Sequence, residues 1–414
     1  MFAEIAARVF AARNIKVYLS SSFVTTPMVS YSIVKLGANL GMMITASHNS
    51  GEYNGIKLKG YYGGSLFGEV LKNIEDLVPE DKILELELVK WEDSLARGLI
   101  EIIDIEGIYS RWIRANFDLE GLKRSGIRPA FDLMYGSSQS IIKKLFPGYK
   151  KLNAGADPYF GGMNPEPVPA NLVKLSELVG QNKVISLGIA IDGDGDRCAL
   201  INEKGEYVEP HRVLGLLIKY LVETRGRTGR VLAGFSSSST IDTLCKKLGL
   251  ELERTRSGFR HITRKMVDEK ILVAGEQSGG YAFSDHIPER DGIWTALMIW
   301  QILDQQGASL SDLTGELDEL TGSTCYRQLS IPVGRDRIVT IASSLTKKQY
   351  DRFGRFEVKR IEEMDGYKYF ISNRDWVLVR MSGTEPLIRI YAETGSVEKT
   401  GELLDAVRHT LTET

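Results

Sequence analysis

The stretch that most restricts the fold is Val184-Ile185-Ser186-Leu187-Gly188-Ile189-Ala190-Ile191, a near-continuous apolar run that stops abruptly on Asp192-Gly193-Asp194-Gly195-Asp196-Arg197. A strand that is apolar on both alternations has no face for water, so it belongs inside a sheet covered by helices. That predicts an α/β chain whose chemistry gathers where its strands end. Three aspartates at alternate positions, separated by glycines that let the backbone bend tightly, can all turn inward on one cation. Their hard oxygens suit Mg²⁺. An EF-hand loop counted from Asp192 would put Glu203 at its twelfth position, but its sixth would be Arg197 instead of glycine, and a strand precedes it where a helix is needed. A solvated acidic turn is the plain alternative. A divalent-metal site is the favoured reading.

A second strand end carries a serine. The short apolar run Gly41-Met42-Met43-Ile44 reads as a buried strand entering the polar turn Thr45-Ala46-Ser47-His48-Asn49-Ser50-Gly51. A serine hydroxyl is a weak nucleophile until a neighbour takes its proton or a metal polarises it. His48 adjoins it, and Lys57 follows across a turn marked by Gly51, Asn54 and Gly55. Taken alone, such a stretch is more often an ordinary polar loop.

Hydrophobic residues make up 43% and charged residues 26% of 414, as in ordinary globular proteins, and at ~100–200 residues per domain the chain should hold two to four domains. A net charge of -2 with both signs interspersed argues against a nucleic-acid surface. Cys198, Cys245 and Cys325 are widely spaced and odd in number, which suggests neither a disulfide framework nor a cysteine zinc site and fits a reducing cytoplasm. Apolar runs are broken well short of membrane-spanning length, and the amphipathic opening, with Phe2, Ile5, Ala6, Val9 and Phe10 at helical spacing, reads as a helix and not a signal. A cytoplasmic protein without membrane or nucleic-acid partners is expected.

In order, strands are expected at 15–20, 129–133, 184–191, 230–235, 251–255 and 271–274, alternating with helices at 28–36 (capped by Thr26-Pro27), 69–77, 103–117, 138–145, 171–179, 213–222, 240–248 (capped within 236–239), 261–267 and 293–303. A last unit reads strands at 324–332, 376–379 and 387–392 and a helix over 397–411. The expected architecture is three βα units, at 1–102, 103–206 and 207–322, plus a smaller α+β domain at 323–414. The segment 78–96 reads as a connection.

Two further loops are weak signals alone. Arg380-Met381-Ser382-Gly383-Thr384 offers a guanidinium, hydroxyls and a close-approaching glycine amide for a phosphate, with Arg389 adding charge. In Gly275-Glu276-Gln277-Ser278-Gly279, Glu276 and Ser278 could grip a pair of sugar hydroxyls, or Glu276 could pair with a surface arginine.

Together, in this order, the Thr-Ala-Ser-His-Asn, Asp-Gly-Asp-Gly-Asp-Arg, Gly-Glu-Gln-Ser-Gly and Arg-Met-Ser-Gly-Thr-Glu-Pro loops make the chain resemble the α-D-phosphohexomutases over essentially its whole length. The resemblance implies a four-domain enzyme around a central cleft that interconverts hexose 1-phosphate and hexose 6-phosphate of glucose or mannose through a hexose 1,6-bisphosphate, as a monomer or homodimer. It implies Ser47 as the phosphoserine and a metal contact, Asp192, Asp194 and Asp196 as Mg²⁺ ligands, and Arg197 as a support of that loop. Glu276 and Ser278 become sugar contacts, and Arg380, Ser382, Gly383, Thr384 and Arg389 phosphate contacts. Lys57 or His48 becomes the acid/base group. Phe259 after Gly258, and the run from His286 to Gly292, are phosphoglucomutase-like, whereas Gln277 is usual in phosphoglucosamine mutases, which keeps that activity as an alternative. Family members open with a Gly-Ile-Arg-Gly segment and a Gly-Arg-Asp strand that this chain starts after; Gly126-Ile127-Arg128 instead leads into the second unit. An N-terminally incomplete first domain and poor activity are therefore expected, with a non-catalytic sugar-phosphate binder as a further alternative. A zinc phosphatase is disfavoured, because His48, His211, His261, His286 and His409 do not cluster with the aspartates.

Overall fold

A computed structural model describes residues 1–79, 90–381 and 387–413. Their contacts define one unit from Met1–Pro210, Phe259–Ala274 and Ser278–Asp312, and another from His211–Gly258, Gly275–Gln277 and Leu313–Thr414.

In the first unit the apolar run forms the strand Leu187–Ile191, buried at every residue. It is shorter than expected, because the Val184 and Ile185 N–H groups are drawn off by the Asn182 side chain. Its sheet runs in the order Lys151–Leu152, Pro129–Asp132, Leu187–Ile191, Cys198–Ile201, Tyr207–Val208. Pro129–Asp132 pairs parallel on one side, while Cys198–Ile201 returns antiparallel on the other, so the acidic loop is a tight connection between two fully buried strands. The helix Val173–Gln181 seals one face by packing Leu175 and Val179 among Ala130, Ala190, Ala199 and Ile201.

Further along this unit, Val17–Ser20 pairs parallel with Ile100–Ile103, against which the helix Phe2–Ala11 buries Ala7 and Ala11. The strand Ile100–Ile103 lies in what the pattern placed at a domain boundary, since Glu101 interrupts its apolar run. The cap of the helix Thr26–Leu36 is Thr25, one residue earlier than expected; its hydroxyl accepts from the Met28 N–H, and Pro27 fills the first turn. The run before Ser47 is also not a buried strand. Leu40–Ile44 buries only Gly41 and pairs with Ile56–Gly60 in a two-stranded antiparallel ribbon.

In the second unit Arg230–Gly234 and Leu252–Thr255 pair in parallel around the crossover helix Thr240–Lys247. The expected capping of this helix by a serine fails at Ser239: its N–H and hydroxyl both go to Glu393, while Ser238 takes the Thr240 N–H. The C-terminal part is a five-stranded antiparallel sheet in the order Cys325–Pro332, Leu387–Thr394, Trp376–Met381, Tyr367–Phe370, Arg360–Glu363. The helices Arg335–Thr346 and Val397–Glu413 bury Ile341, Leu345, Leu403 and Val407 on Val377, Val379, Ile388 and Ile390. Of the two strands before Trp376, Arg360–Glu363 escapes sequence patterning because three of its four residues are charged, and Tyr367–Phe370 because its four residues are too few to stand out. No described helix is long and apolar enough to cross a membrane.

Candidate active site

Ser47 leaves the Leu40–Ile44 strand with φ of 61°, a left-handed conformation uncommon for a residue with a Cβ, and the Thr45 hydroxyl holds its N–H at 2.8 Å. The ribbon register puts Lys57 opposite Met43, so a lysine ten positions away returns beside the serine. Its Nζ lies 3.1 Å from Ser47 Oγ, 2.7 Å from Asp194 Oδ2 and 3.3 Å from Asp196 Oδ2, and Ser47 Oγ is also 3.2 Å from Asp194 Oδ1. Serine loop and acidic loop therefore meet directly. Gly193 permits the approach, since a Cβ there would fall 2.6 Å from the Ser47 carbonyl oxygen. Gly195, at φ of 77°, turns the loop under Thr25, and Thr26 then donates its N–H to the Asp194 carbonyl at 2.8 Å and its hydroxyl to Asp194 Oδ2 at 2.6 Å.

One carboxylate oxygen from each of Asp192, Asp194 and Asp196 lies within 4.8 Å of the others, and all three residues are buried. It is the sole such cluster among the described residues. Asp192 Oδ2 and Asp196 Oδ1 lack a hydrogen-bond donor, which fits a cation as their missing partner. Glu203, which an EF-hand would need here, instead accepts from the Ser311 hydroxyl. Three cations lie against the aspartates: Lys57; Arg290, whose Nη2 is 2.6 Å from Asp196; and Arg197, whose Nε is 3.9 Å from Asp192 and 3.8 Å from Asp196. Arg197 also donates to Glu166 at 3.0 Å and takes the Asp192 carboxylate on its own N–H.

Protonation follows from this balance. Burial, reinforced by Asp196 and Asp194, pushes the Asp192 carboxyl well above its ordinary range. Burial acts on Asp196 too, but Arg290, Lys57 and Arg197 outweigh it and hold that carboxyl well below the ordinary range. Burial would lower Lys57, yet Asp196 and Asp194 prevail and keep it an ammonium at neutral pH. Burial and the nearby Arg197 pull His48 down to about 3, so its imidazole is neutral. His48 Nε2 lies 3.7 Å from Glu166, and its Nδ1 is buried without a partner.

The second unit holds Glu276, Arg380 and Arg389. Glu276, buried, accepts the Gly258 N–H at 3.2 Å. Arg380 and Arg389 stand directly opposite each other on neighbouring strands, on either side of the stretch 382–386 in sequence. Ser382, Gly383 and Thr384 lie outside the described residues. Ser278 belongs to the first unit, half-buried in the turn after the strand Ile271–Gly275. Motif reading missed Thr26, Glu166 and Arg290. Arg290 sits in the His286–Gly292 run that was noted only as a subgroup feature, and nothing local signals its 94-residue reach to Asp196.

The chain matches four family descriptions in series: Phosphoglucomutase/phosphomannomutase alpha/beta/alpha domain I over residues 1–84, domain II over 108–205, domain III over 209–320, and the C-terminal domain over 357–410. It is 30% identical to a probable phosphoglucosamine mutase of Methanopyrus kandleri over 92% of this chain and 81% of that one. The chain belongs to the α-D-phosphohexomutase superfamily. This phosphohexomutase is also 30% identical to the phosphoglucomutase/phosphomannomutase of Thermococcus kodakarensis, over 92% of its own length and 80% of that relative. A crystal structure of a Thermus thermophilus protein assigned as a phosphomannomutase superposes with a TM-score of 0.85 at 30% identity, covering 100% of this chain and 87% of that one. The phosphohexomutase fold is thus three α/β/α domains and a C-terminal domain with an antiparallel sheet, and the activity class is intramolecular phosphoryl transfer.

Proposed function

We propose that this phosphohexomutase interconverts hexose 1-phosphate and hexose 6-phosphate of glucose or mannose, with Ser47 as the phosphoryl carrier and Lys57 as its acid/base partner. The observation that carries this reading is the three-way contact of Lys57 Nζ with Ser47 Oγ and two carboxylates of the aspartate cluster. In the forward half-reaction a sugar hydroxyl oxygen bonds to phosphorus as the phosphorus–Oγ bond of phosphorylated Ser47 breaks. The ammonium of Lys57 gives a proton to departing Oγ and regains one from the sugar hydroxyl, so charge and protons balance. The reverse half-reaction returns the other phosphate of the hexose 1,6-bisphosphate to Oγ. Mg²⁺ on Asp192, Asp194 and Asp196 would offset charge on the transferring group. His48, neutral and turned toward Glu166, keeps Arg197 company and does not face Oγ at hydrogen-bond distance. Glu276 and Ser278 would hold sugar hydroxyls, and Arg380 and Arg389, with Ser382, Gly383 and Thr384, the phosphate that is not being transferred.

Glucosamine phosphate is the second reading, favoured by Gln277 and by the names that most relatives near 30% identity carry. Turnover of glucose 1-phosphate, mannose 1-phosphate and glucosamine 1-phosphate, each primed with glucose 1,6-bisphosphate and Mg²⁺, decides between them. The first reading expects the neutral hexoses to have the higher kcat/KM. A preference for glucosamine 1-phosphate overturns it, and binding without turnover of any of the three would mean a non-catalytic binder.

A further inference from the structure

The hairpin joining Arg360–Glu363 to Tyr367–Phe370 has a three-residue loop, Met364-Asp365-Gly366, closed by the Glu363–Tyr367 pair. Gly366 takes φ of 99°, and a Cβ there would lie 2.5 Å from the Val379 carbonyl oxygen, so this tip is pressed against the strand Trp376–Met381 just where Arg380 emerges. The result is a single carboxylate oxygen with two partners. Asp365 Oδ2 lies 2.7 Å from Arg380 Nε and accepts the Ser257 N–H at 3.0 Å. The next N–H along, that of Gly258, goes to Glu276. Glu276, Gly258, Ser257, Asp365 and Arg380 therefore form one polar chain within one unit.

We propose that Asp365 is a positioning residue: it orients the Arg380 guanidinium for the non-transferred phosphate and ties it to the backbone segment that Glu276 also holds. The proposal rests on the reading of Arg380 as a phosphate contact. Arg380 faces Arg389 across the strand pair, and two like charges directly opposite repel. A carboxylate paired with Nε relieves that repulsion and, together with the Tyr391 hydroxyl that the guanidinium also meets, fixes where Arg380 points. Asp365 thus acts through Arg380 and touches no substrate itself.

Because the phosphate it serves is held equally in ground and transition states, removing Asp365 raises KM and spares kcat. Asp365→Ala is expected to raise KM for the hexose phosphate, and the inhibition constant of inorganic phosphate, by roughly tenfold or more, with kcat within about threefold of wild type. Asp365→Asn keeps an oxygen for the Ser257 N–H and loses the charge, so it should fall between. In an Arg380→Ala background, Asp365→Ala should add little, since neighbours acting through one group are not additive. Equal KM for wild type and Asp365→Ala, while Arg380→Ala raises it, overturns the proposal alone. So does a fall in kcat and melting temperature at unchanged KM, or full additivity in the double variant. An Arg380→Ala enzyme with wild-type KM instead overturns the phosphate-site reading, and the proposal with it. Should Asp365→Ala fail to fold, Asp365→Asn with and without Arg380→Ala carries the same comparison.

Discussion

Replacing Lys57 with methionine tests the charge balance on which the site depends. At an effective dielectric constant of about 20, an ammonium 2.7 Å from Asp194 and 3.3 Å from Asp196 contributes about 6 and about 5 kcal/mol of gross attraction. Desolvating the ammonium offsets much of this, and breaking such a pair by removing one member typically costs about 3–5 kcal/mol net. With Lys57 gone, Asp194 and Asp196 lose the ammonium they share, and Arg290 and Arg197 remain beside Asp196. Lys57→Met without divalent metal should therefore lose about 3–5 kcal/mol in urea unfolding at neutral pH. A dication binding the same oxygens should restore part of it, about 2.7 kcal/mol at a hundred times its dissociation constant, and should help the variant more than the wild type, whose ammonium competes for those oxygens. Tryptophan fluorescence reports mainly on the relevant unit, which contains Trp91, Trp112, Trp294 and Trp300. With Mg²⁺ present, turnover should fall by about 10²–10⁴. A variant as stable as wild type in a chelator would refute the argument, because the carboxylates would then not need the ammonium.

Ser47→Ala should lose nearly all turnover and should show no phosphate by intact mass where the wild type is expected to show one, yet bind sugar phosphate calorimetrically; wild-type turnover would remove Ser47 from the mechanism. Chelating divalent metal should abolish turnover reversibly, and Asp194→Asn should weaken Mg²⁺ binding; a rate indifferent to chelation would leave the acidic loop without a catalytic metal. Lys368 is buried, 3.7 Å over the Trp376 ring, and burial lowers it from 10.5 to about 7. The unfolded chain holds that proton between these values and the folded one does not, so stability should rise with pH from about 7 to about 10.5, by up to about 1.4 kcal/mol per unit. Lys368→Met should lack that component, and identical pH slopes for the two proteins would exclude it. Lys59 and Glu289 form a fully buried pair, so Glu289→Leu alone should cost about 3–5 kcal/mol in urea unfolding while Lys59→Met with Glu289→Leu recovers most of it; equal stabilities of the single and double variants would contradict this.

What the amino-acid sequence determined by itself was local chemistry. The aspartates at 192, 194 and 196 share a short glycine-spaced loop after an apolar run, so their convergence needs only that the run be a strand and the loop turn. The βα alternation and the C-terminal sheet were legible at long buried strands such as Leu187–Ile191 and Leu387–Thr394, while the short buried strands Cys198–Ile201 and Tyr281–Phe283 were not read. Edge segments were not: Ile56–Gly60, Ile100–Ile103 and Arg360–Glu363 carry charge because one face meets water, which erases the apolar signal. The cap was misplaced at Thr26, and Ser239, though at the N-cap within the expected 236–239, does not cap with its side chain, for a related reason: the groups that compete for those hydroxyls, Asp194 and Glu393, lie far along the chain. Only the tertiary structure could decide that Lys57 and not His48 reaches Ser47 Oγ, that Arg290 completes the charge balance at Asp196, and that Asp365 holds Arg380. Each of these depends on where a strand or hairpin returns in space. Electrostatic partners are selected by distance, and distance between residues remote in sequence is set by packing.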